Sequence, residues 1–210
     1  NEIIEPGQPL GPGQIYDINK YTLGAIIKNH GGIPIFHATV LDTWEDLNAA
    51  VDSNLDEDMI VFSGGSSVGE HDLILDIIKS RGKVLFHGVA VKPGKPTVFG
   101  KINAKPTLGM PGYPTSCLSN GYMLLAPIIR RLARLPIYKP VTISLPLAKR
   151  VISTTGRHQF YTVRIEKDFA MPVFKASGDI TSMSSADGYF EIPAQTDIVE
   201  KGEIVEVKLF

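Results

Sequence analysis

The amino-acid sequence predicts an α/β protein: a three-layer, mainly parallel sheet with helices on both faces, followed by a small all-β, barrel-like domain. Up to residue 135, strand-like apolar runs alternate with helix-like spacing, which is typical of a parallel sheet covered on both faces. Beyond residue 135, only short alternating strand-like runs and turn signals remain. The chain of 210 residues has room for both, so we place the two domains at residues 1–135 and 136–210.

The elements follow from apolar spacing, glycine and proline signals, and helix caps. The spacing predicts helices over 18–29, 73–80 and 116–135, and one over 44–53 that Asp42 or Thr43 begins. Pro127 should bend or interrupt the helix predicted over 116–135. Strands are predicted at 33–40, 58–63, 84–91, 97–100, 106–110, 141–145, 160–165 and 204–209, and later turns at 178–179, 187–188 and 201–202.

Composition excludes several classes of protein. Hydrophobic residues make up 43% and charged residues 20%, which is ordinary for a globular chain. The net charge of −1 argues against nucleic acid as the main partner. No apolar run reaches the roughly 20 residues that a membrane-spanning helix needs, and the first residues do not resemble a signal peptide. With Cys117 as the single cysteine, we expect a cytoplasmic protein that neither crosses a membrane nor has an internal disulfide.

Charge is segregated along the chain. Residues 29–78 contain ten acidic residues and no lysine or arginine, whereas residues 77–165 contain fifteen lysines and arginines and no acid. Such blocks can be solvated faces of the molecule. They can also indicate a cleft in which basic residues hold an anion and carboxylates hold its metal ion.

Three loops follow the carboxyl ends of predicted strands, the edge where α/β sheets bind ligands. The first, Ser-Gly-Gly-Ser-Ser-Val-Gly-Glu-His-Asp (residues 63–72), has glycines that let the backbone approach an anion and carboxylates suited to Mg²⁺. The second, Lys-Pro-Gly-Lys-Pro (92–96), has two lysines held by prolines, and the third, Pro-Gly-Tyr-Pro-Thr-Ser (111–116), begins a helix. Each loop also has an ordinary structural interpretation. The first can be a plain strand-to-helix turn capped by Asp72, the second a rigid exposed turn, and the third an ordinary helix cap.

Two further residues are weaker candidates. Cys117 lies near a predicted helix start, where a thiol can become a nucleophile, but a small buried apolar group is the commoner role. His71 lies beside Asp72, yet no second histidine has metal-ligand spacing. The sequence also lacks the Gly-x-x-x-x-Gly-Lys-Ser/Thr motif, which disfavours a P-loop nucleoside triphosphatase.

These three loops, in this order, resemble the molybdopterin-binding domain of the molybdopterin molybdenumtransferase family, which includes the C-terminal domain of gephyrin. Gly-Gln-Ile-Tyr-Asp-Ile-Asn (13–19) is similar to the segment before that domain's first helix. Residues 182–193 and 201–207 are similar to the family's terminal β-domain. The resemblance covers nearly the whole chain. Family members carry further N-terminal domains, so we expect this chain to be part of a longer protein, homodimeric at full length.

The resemblance implies transfer of molybdate or tungstate into adenylylated molybdopterin with release of AMP. It implies that Lys92 and Lys95 neutralise phosphate or molybdate charge, and that Asp72, Asp42 and Glu2 bind or position Mg²⁺. The substrate would be held by Gly64, Gly65, Ser66, Ser67, Gly69, Pro111, Gly112, Pro114, Thr115 and Ser116.

Two alternatives and one departure accompany this resemblance. The chain could instead be the related adenylyltransferase, which attaches AMP to molybdopterin, or a scaffold that binds the pterin without catalysis. The terminal β-domain and the lysine loop favour the molybdenumtransferase. The family's usual Pro-Gly-Asn-Pro has Tyr113 in place of the asparagine here, and an aromatic ring at that position could stack on a planar ligand.

Overall fold

A computed structural model of the protein describes residues 2–64, 72–174 and 181–210. The chain forms two compact units, the first made of residues 1–89 and 96–137, and the second of residues 90–95 and 138–210. The domain boundary after residue 135 stays a prediction, but the segment 90–95, which we expected in the first domain, groups with the second unit. Within the described ranges, no helix is both long and apolar enough to cross a membrane.

The elements alternate in the first half of the chain and are almost all strands in the second. In chain order they are β1 (Ile3–Ile4), β2 (Ile15–Tyr16), α1 (Asn19–Asn29), α2 (Trp44–Asp52), β3 (Ile60–Ser63), α3 (Leu73–Arg81), β4 (Gly82–His87), β5 (Val91–Lys92), β6 (Val98–Ile102), β7 (Lys105–Met110), α4 (Pro114–Asn120), a π-helical turn (Gly121–Leu125), α5 (Ala126–Leu132), β8 (Thr142–Pro146), β9 (Val151–Ile152), β10 (His158–Glu166), β11 (Phe169–Pro172), α6 (Thr181–Ser184), β12 (Gly188–Ile192), β13 (Ile198–Val199) and β14 (Ile204–Leu209).

The two predicted helix caps are present. The Thr43 side chain accepts a hydrogen bond from Asp46 N at the start of α2, and Asp72 accepts one from Leu75 N at the start of α3. A short polar side chain in this position satisfies a backbone N–H that has no partner within the helix. The caps therefore fix where both helices begin.

The sheet of the first unit is mixed, with the strand order β3-β7-β6-β4. Only β3 and β7 are parallel among its described pairs, so the expectation of a mainly parallel sheet is wrong for these strands. The β6–β7 turn places Asn103 and Ala104 at φ 46° and 67°, the left-handed geometry of a tight antiparallel hairpin. The predicted strand at 33–40 is also absent: Pro34 has no N–H to pair, and the Ile33 side chain is 88% exposed.

Two successive residues of β3 contribute to different apolar clusters. Val61 packs against a cluster that contains α1, α5 and β7 side chains, and Ile60 belongs to a cluster that contains α2, α3 and β6 side chains. Because successive side chains of a strand point to opposite faces, each cluster lies on its own face of the sheet. Packing on both faces holds the strands of this sheet in place, and the candidate site lies at the ends of two of them, β3 and β7.

The predicted long helix at 116–135 is divided into α4, the π-helical turn and α5. Pro127 lies in the first turn of α5. Proline has no N–H to donate to the preceding turn, and a π-helical turn is one way for a helix to absorb this loss. The expected interruption at Pro127 is therefore confirmed, and it takes the form of a widened turn.

The second unit is built on an antiparallel sheet in the order β11-β10-β12-β14-β8, with β5 added parallel to β10. Its core contains Leu147, Val163, Ile192 and Val207, all nearly fully buried. Among the described residues, β11 meets the end of β8 at an isolated bridge, Leu147 to Ala170, where Ala148 N also donates to Ala170 O, so the expected barrel is not closed. The predicted turn at 201–202 is present, Gly188 begins β12, and residues 178–179 lie outside the described residues.

Candidate functional site

The ends of β3 and β7 bring two of the predicted loops together. These parallel strands pair Ser63 with Met110, so the chain leaves the sheet at the same edge after both. Gly64 N donates to Met110 O at 3.2 Å, and Gly64 has φ +92°, a conformation that favours glycine. A Cβ added to Gly112 would lie 3.5 Å from Gly64 Cα. The first and third loops therefore touch backbone to backbone.

Asn19 joins the same two loops through its side-chain amide. Asn19 Nδ2 donates to Ser63 Oγ at 2.7 Å and to Gly112 O at 2.8 Å. The residue is 9% exposed, and its Oδ1 has no hydrogen-bond partner among the described residues. Both amide protons are thus used to hold the loop ends, and the acceptor is left open in a buried position.

The third loop combines buried and open residues. Pro111, Thr115 and Ser116 are buried, whereas Gly112 is exposed and Tyr113 is 66% exposed. Tyr113 is the N-cap residue of α4 and makes no side-chain cap hydrogen bond, and Pro114 is half-buried at the start of the helix. The ring of Tyr113 is therefore accessible to a ligand at this helix start.

Asp72 has one satisfied and one unsatisfied carboxylate oxygen. Oδ1 accepts the cap hydrogen bond from Leu75 N at 3.0 Å. Oδ2 is buried and has no hydrogen-bond partner among the described residues. It lies 3.4 Å from His87 Nε2, which is within ion-pair distance but outside hydrogen-bond geometry. A buried carboxylate oxygen without a partner is costly unless a cation or donor approaches it.

The other two predicted metal-binding acids differ from the buried Asp72 in exposure and lie in other segments of the chain. Asp42 is exposed in the loop before α2, and Glu2 is exposed immediately before β1. In residues 2–64, 72–174 and 181–210, no three His, Cys, Asp or Glu side chains are grouped so that they could hold a metal ion. The roles of Asp42 and Glu2 stay predictions.

The lysine loop belongs to the second unit. Lys92 is the last residue of β5 and is half-buried, while Lys95 is exposed. Lys92 Nζ donates to Thr154 Oγ1 at 2.6 Å. The remaining predicted loop residues, Gly65, Ser66, Ser67 and Gly69, together with His71, lie outside the described residues.

Cys117 is a buried structural residue. Its thiol is fully buried, and burial raises the pKa of Cys117 to about 12, although a contact with Ser63 Oγ at 3.7 Å acts in the opposite direction. A thiol with such a high pKa is almost entirely protonated at neutral pH and is a poor nucleophile. The interpretation of Cys117 as a small buried group fits the structure.

Sequence reasoning overlooked three residues that hold the candidate groups in place. Asn19 ends the segment 13–19, and neither it nor His87 nor Thr154 is assigned a role by the sequence patterns. The position of Asn19, a polar residue at the very start of α1, is a usable signal. The contacts of His87 and Thr154 are distant in sequence, and no local pattern predicts them.

Family models match two consecutive parts of the chain. Residues 2–131 match the family described as "Probable molybdopterin binding domain". Residues 144–210 match the "MoeA C-terminal region (domain IV)". The two matches cover both compact units and leave a short connection between them.

Relatives with known names are similar over nearly the whole chain. A molybdopterin biosynthesis protein of Methanocaldococcus jannaschii is 35% identical over 199 residues, which cover 94% of this chain and 48% of that protein. A molybdopterin molybdenumtransferase 2 of Mycobacterium tuberculosis is 32% identical over 211 residues, covering 95% and 51%. The crystal structure of a MoeA molybdopterin biosynthesis protein from Pyrococcus horikosii has a TM-score of 0.86 and 42% identity, covering 100% and 52%. The chain spans about half the length of these relatives.

Proposed function

Because the chain belongs to the molybdopterin-binding domain family and continues into a MoeA C-terminal region, we propose that it acts in molybdenum cofactor biosynthesis. The proposed reaction transfers molybdate or tungstate into adenylylated molybdopterin and releases AMP. One observation carries this proposal at the level of the site: the backbone contact of Gly64 with Gly112, held by Asn19, at the carboxyl edge of β3 and β7. Ligands of α/β sheets bind at this edge.

The proposed phosphate site uses backbone groups of the two touching loops. Gly64 leaves open space where a Cβ would stand, so a ligand can approach its main chain. Gly65, Ser66, Ser67 and Gly69 would continue this surface with N–H and hydroxyl donors. The third loop would contribute Pro111, Gly112, Pro114, Thr115 and Ser116, and the exposed Tyr113 ring could stack on a planar part of the substrate.

The proposed charge-neutralising residues are Lys92 and Lys95. Phosphate and molybdate are both oxyanions, and a fixed ammonium group stabilises charge that a flexible solvated one does not. Lys92 is already oriented by its contact with Thr154, while Lys95 is exposed and free to follow the substrate. The two lysines thus supply positive charge with different degrees of freedom.

Mg²⁺ is the proposed metal cofactor, and the unpartnered Oδ2 of Asp72 fits it because hard carboxylate oxygens are preferred Mg²⁺ ligands. We assign Asp72 as a ligand and keep Asp42 and Glu2 as proposed helpers. A bound Mg²⁺ ion would supply positive charge against the phosphate groups of the substrate. Asp72 itself holds the start of α3 through Oδ1, which leaves Oδ2 as the proposed ligand atom.

The proposal extends to the architecture and setting of the protein. The first unit is proposed to have three layers, supported by the two apolar clusters on opposite sheet faces. The full-length protein is proposed to be a cytoplasmic homodimer that takes a small pterin substrate.

The test is AMP release by the purified chain given adenylylated molybdopterin, molybdate and Mg²⁺, measured by chromatography with a molybdate-free control. Molybdate-dependent AMP release supports the proposal. Formation of adenylylated product from molybdopterin and Mg-ATP would instead identify an adenylyltransferase. Tight binding of adenylylated molybdopterin without AMP release would identify a scaffold.

A further inference from the structure

The backbone of Lys92 is fixed by the sheet of the second unit. β5 pairs parallel with β10, in the register Val91 with His158 and Lys92 with Gln159. His158 N also donates to Ala90 O at 2.8 Å. The lysine therefore starts from a strand position and not from a free loop.

The Lys92 side chain is oriented by a neutral hydroxyl group. Lys92 Nζ donates to Thr154 Oγ1 at 2.6 Å. No ion pair involves Lys92 within the part of the chain that the structure describes. An ammonium group has three donors, so two remain after the contact with Thr154. A hydroxyl partner fixes the direction of the side chain and leaves its full positive charge for an anion, which a carboxylate partner would not.

Thr154 is held by the same residue that pairs with Lys92. Gln159 is 1% exposed, and its Oε1 accepts from Thr154 N at 3.3 Å and from Ser153 Oγ at 3.1 Å. Lys92, Thr154 and Gln159 thus form a closed set of contacts, in which the buried glutamine fixes the threonine and the threonine fixes the lysine. A lysine side chain loses much rotamer freedom when it binds an anion, and fixing it beforehand reduces that loss.

We propose that Thr154 is a positioning residue, which holds the Lys92 ammonium ready for the oxyanion of the substrate without neutralising it. This inference rests on the proposed function, because it takes the substrate to be the doubly anionic pterin nucleotide. Thr154 would then raise the affinity for the substrate through Lys92, without touching the substrate itself.

The experiment measures the affinity of the purified chain for adenylylated molybdopterin by isothermal titration calorimetry. Thr154→Val removes the hydroxyl and keeps the shape of the side chain, and we expect it to weaken binding about tenfold. Thr154→Ser restores the hydroxyl and should bring the affinity back to within about twofold of the unaltered chain. The matched control is Thr155→Val, since Thr155 is exposed, bonds to Asp197 and has no described contact with Lys92.

A double-variant comparison separates positioning from general damage to the fold. In a Lys92→Ala background, Thr154→Val should cause no further loss of affinity, because the group that it positions is gone. An equal loss in both backgrounds, or equal affinities for Thr154→Val and the unaltered chain, overturns the role of Thr154 and leaves the proposed function intact. Failure of the unaltered chain to bind the pterin nucleotide overturns the proposed function, and this inference with it.

Discussion

The predicted binding residues of the two units are held by different contacts. In the first unit, the loops after β3 and β7 are fixed through their backbones: Asn19 donates to Gly112 O, and Gly64 N donates to Met110 O. In the second unit, β5 pairs with β10, and the side chain of Lys92 is oriented by its donation to Thr154. The side-chain amide of Asn19 is buried, whereas Lys92 and its partner Thr154 are half-buried.

This difference separates stability from affinity. Changes to Asn19 should lower both the stability and the ligand affinity, because they leave buried polar groups without partners. Changes to the lysine loop should alter affinity alone, because partly exposed lysines contribute little to the free energy of unfolding. The following predictions test this separation.

The double variant Lys92→Ala, Lys95→Ala should show the largest effect. It removes both proposed partners of the substrate oxyanions, and we expect the affinity for adenylylated molybdopterin to fall at least about 100-fold, as for the loss of two charge-assisted hydrogen bonds. Calorimetry measures the affinity, and urea unfolding should show little change in stability. The matched control is Lys101→Ala, Lys105→Ala in the β6–β7 hairpin, which removes equal charge. Equal losses in both double variants would contradict a specific role for the lysine loop.

Asn19→Asp should lower the free energy of unfolding by about 2 kcal/mol, the cost of leaving a buried polar group unpaired. Ser63 can turn its hydroxyl to donate to the new carboxylate, but the Gly112 carbonyl cannot donate and would face it as a second acceptor. Urea unfolding measures the change. Asn29→Asp, on the exposed end of the same helix, serves as the control and should change stability by about 0.5 kcal/mol or less. Similar values for the two variants would show that Asn19 does not act as a clamp.

Asp72→Asn should remove the dependence of ligand affinity on Mg²⁺ while keeping α3 intact. Asparagine caps helices about as well as aspartate, so the bond from Leu75 N is retained, whereas the charge on the unpartnered oxygen is lost. We expect the increase in affinity on adding Mg²⁺ to fall about tenfold, as for a proposed ligand that loses its charge. Titrations with and without Mg²⁺ measure this. Asp76→Asn, one turn later and partly exposed, should keep the full Mg²⁺ response.

Cys117 should give the smallest effect and report on the first unit alone. Because burial raises the pKa of Cys117 from its ordinary value to about 12, the folded protein should react very slowly with iodoacetamide at pH 8 and rapidly in urea. The unfolded chain releases this proton at lower pH than the folded protein does. The stabilisation is therefore fully present below about pH 9 and is lost as the pH rises towards about 12. Rapid labelling of the native protein would show that this part of the fold opens readily.

Local signals in the sequence predicted the elements where one chemical group decides the outcome. Thr43 and Asp72 mark the starts of α2 and α3 because a cap needs only a side chain and a backbone group a few residues away. Pro127 predicted the interruption of the long helix for the same reason. The third loop directly follows β7, as predicted, and Gly64 at the start of the first loop directly follows β3.

Pairing between distant segments was not predictable in the same way. The run at 33–40 has strand-like composition, but strand formation depends on a partner, and Ile33 is left exposed. The strand predicted over 84–91 is divided at Gly88, which has φ +79°, and its last part pairs with β10 of the second unit. The contacts of Asn19 with Gly112 and of Lys92 with Thr154 join residues 93 and 62 positions apart. The sequence alone gives the types of these residues but does not show which distant residues come into contact.

The return of β5 to the second unit has a consequence for exchanging parts between related proteins. A chimera joined once near residue 137 would take β5 from one parent and its partner strand β10 from the other. The register of Lys92 opposite Gln159 would then have to survive between two sequences that were never selected together. A successful exchange should move residues 90–95 together with 138–210, which requires three junctions.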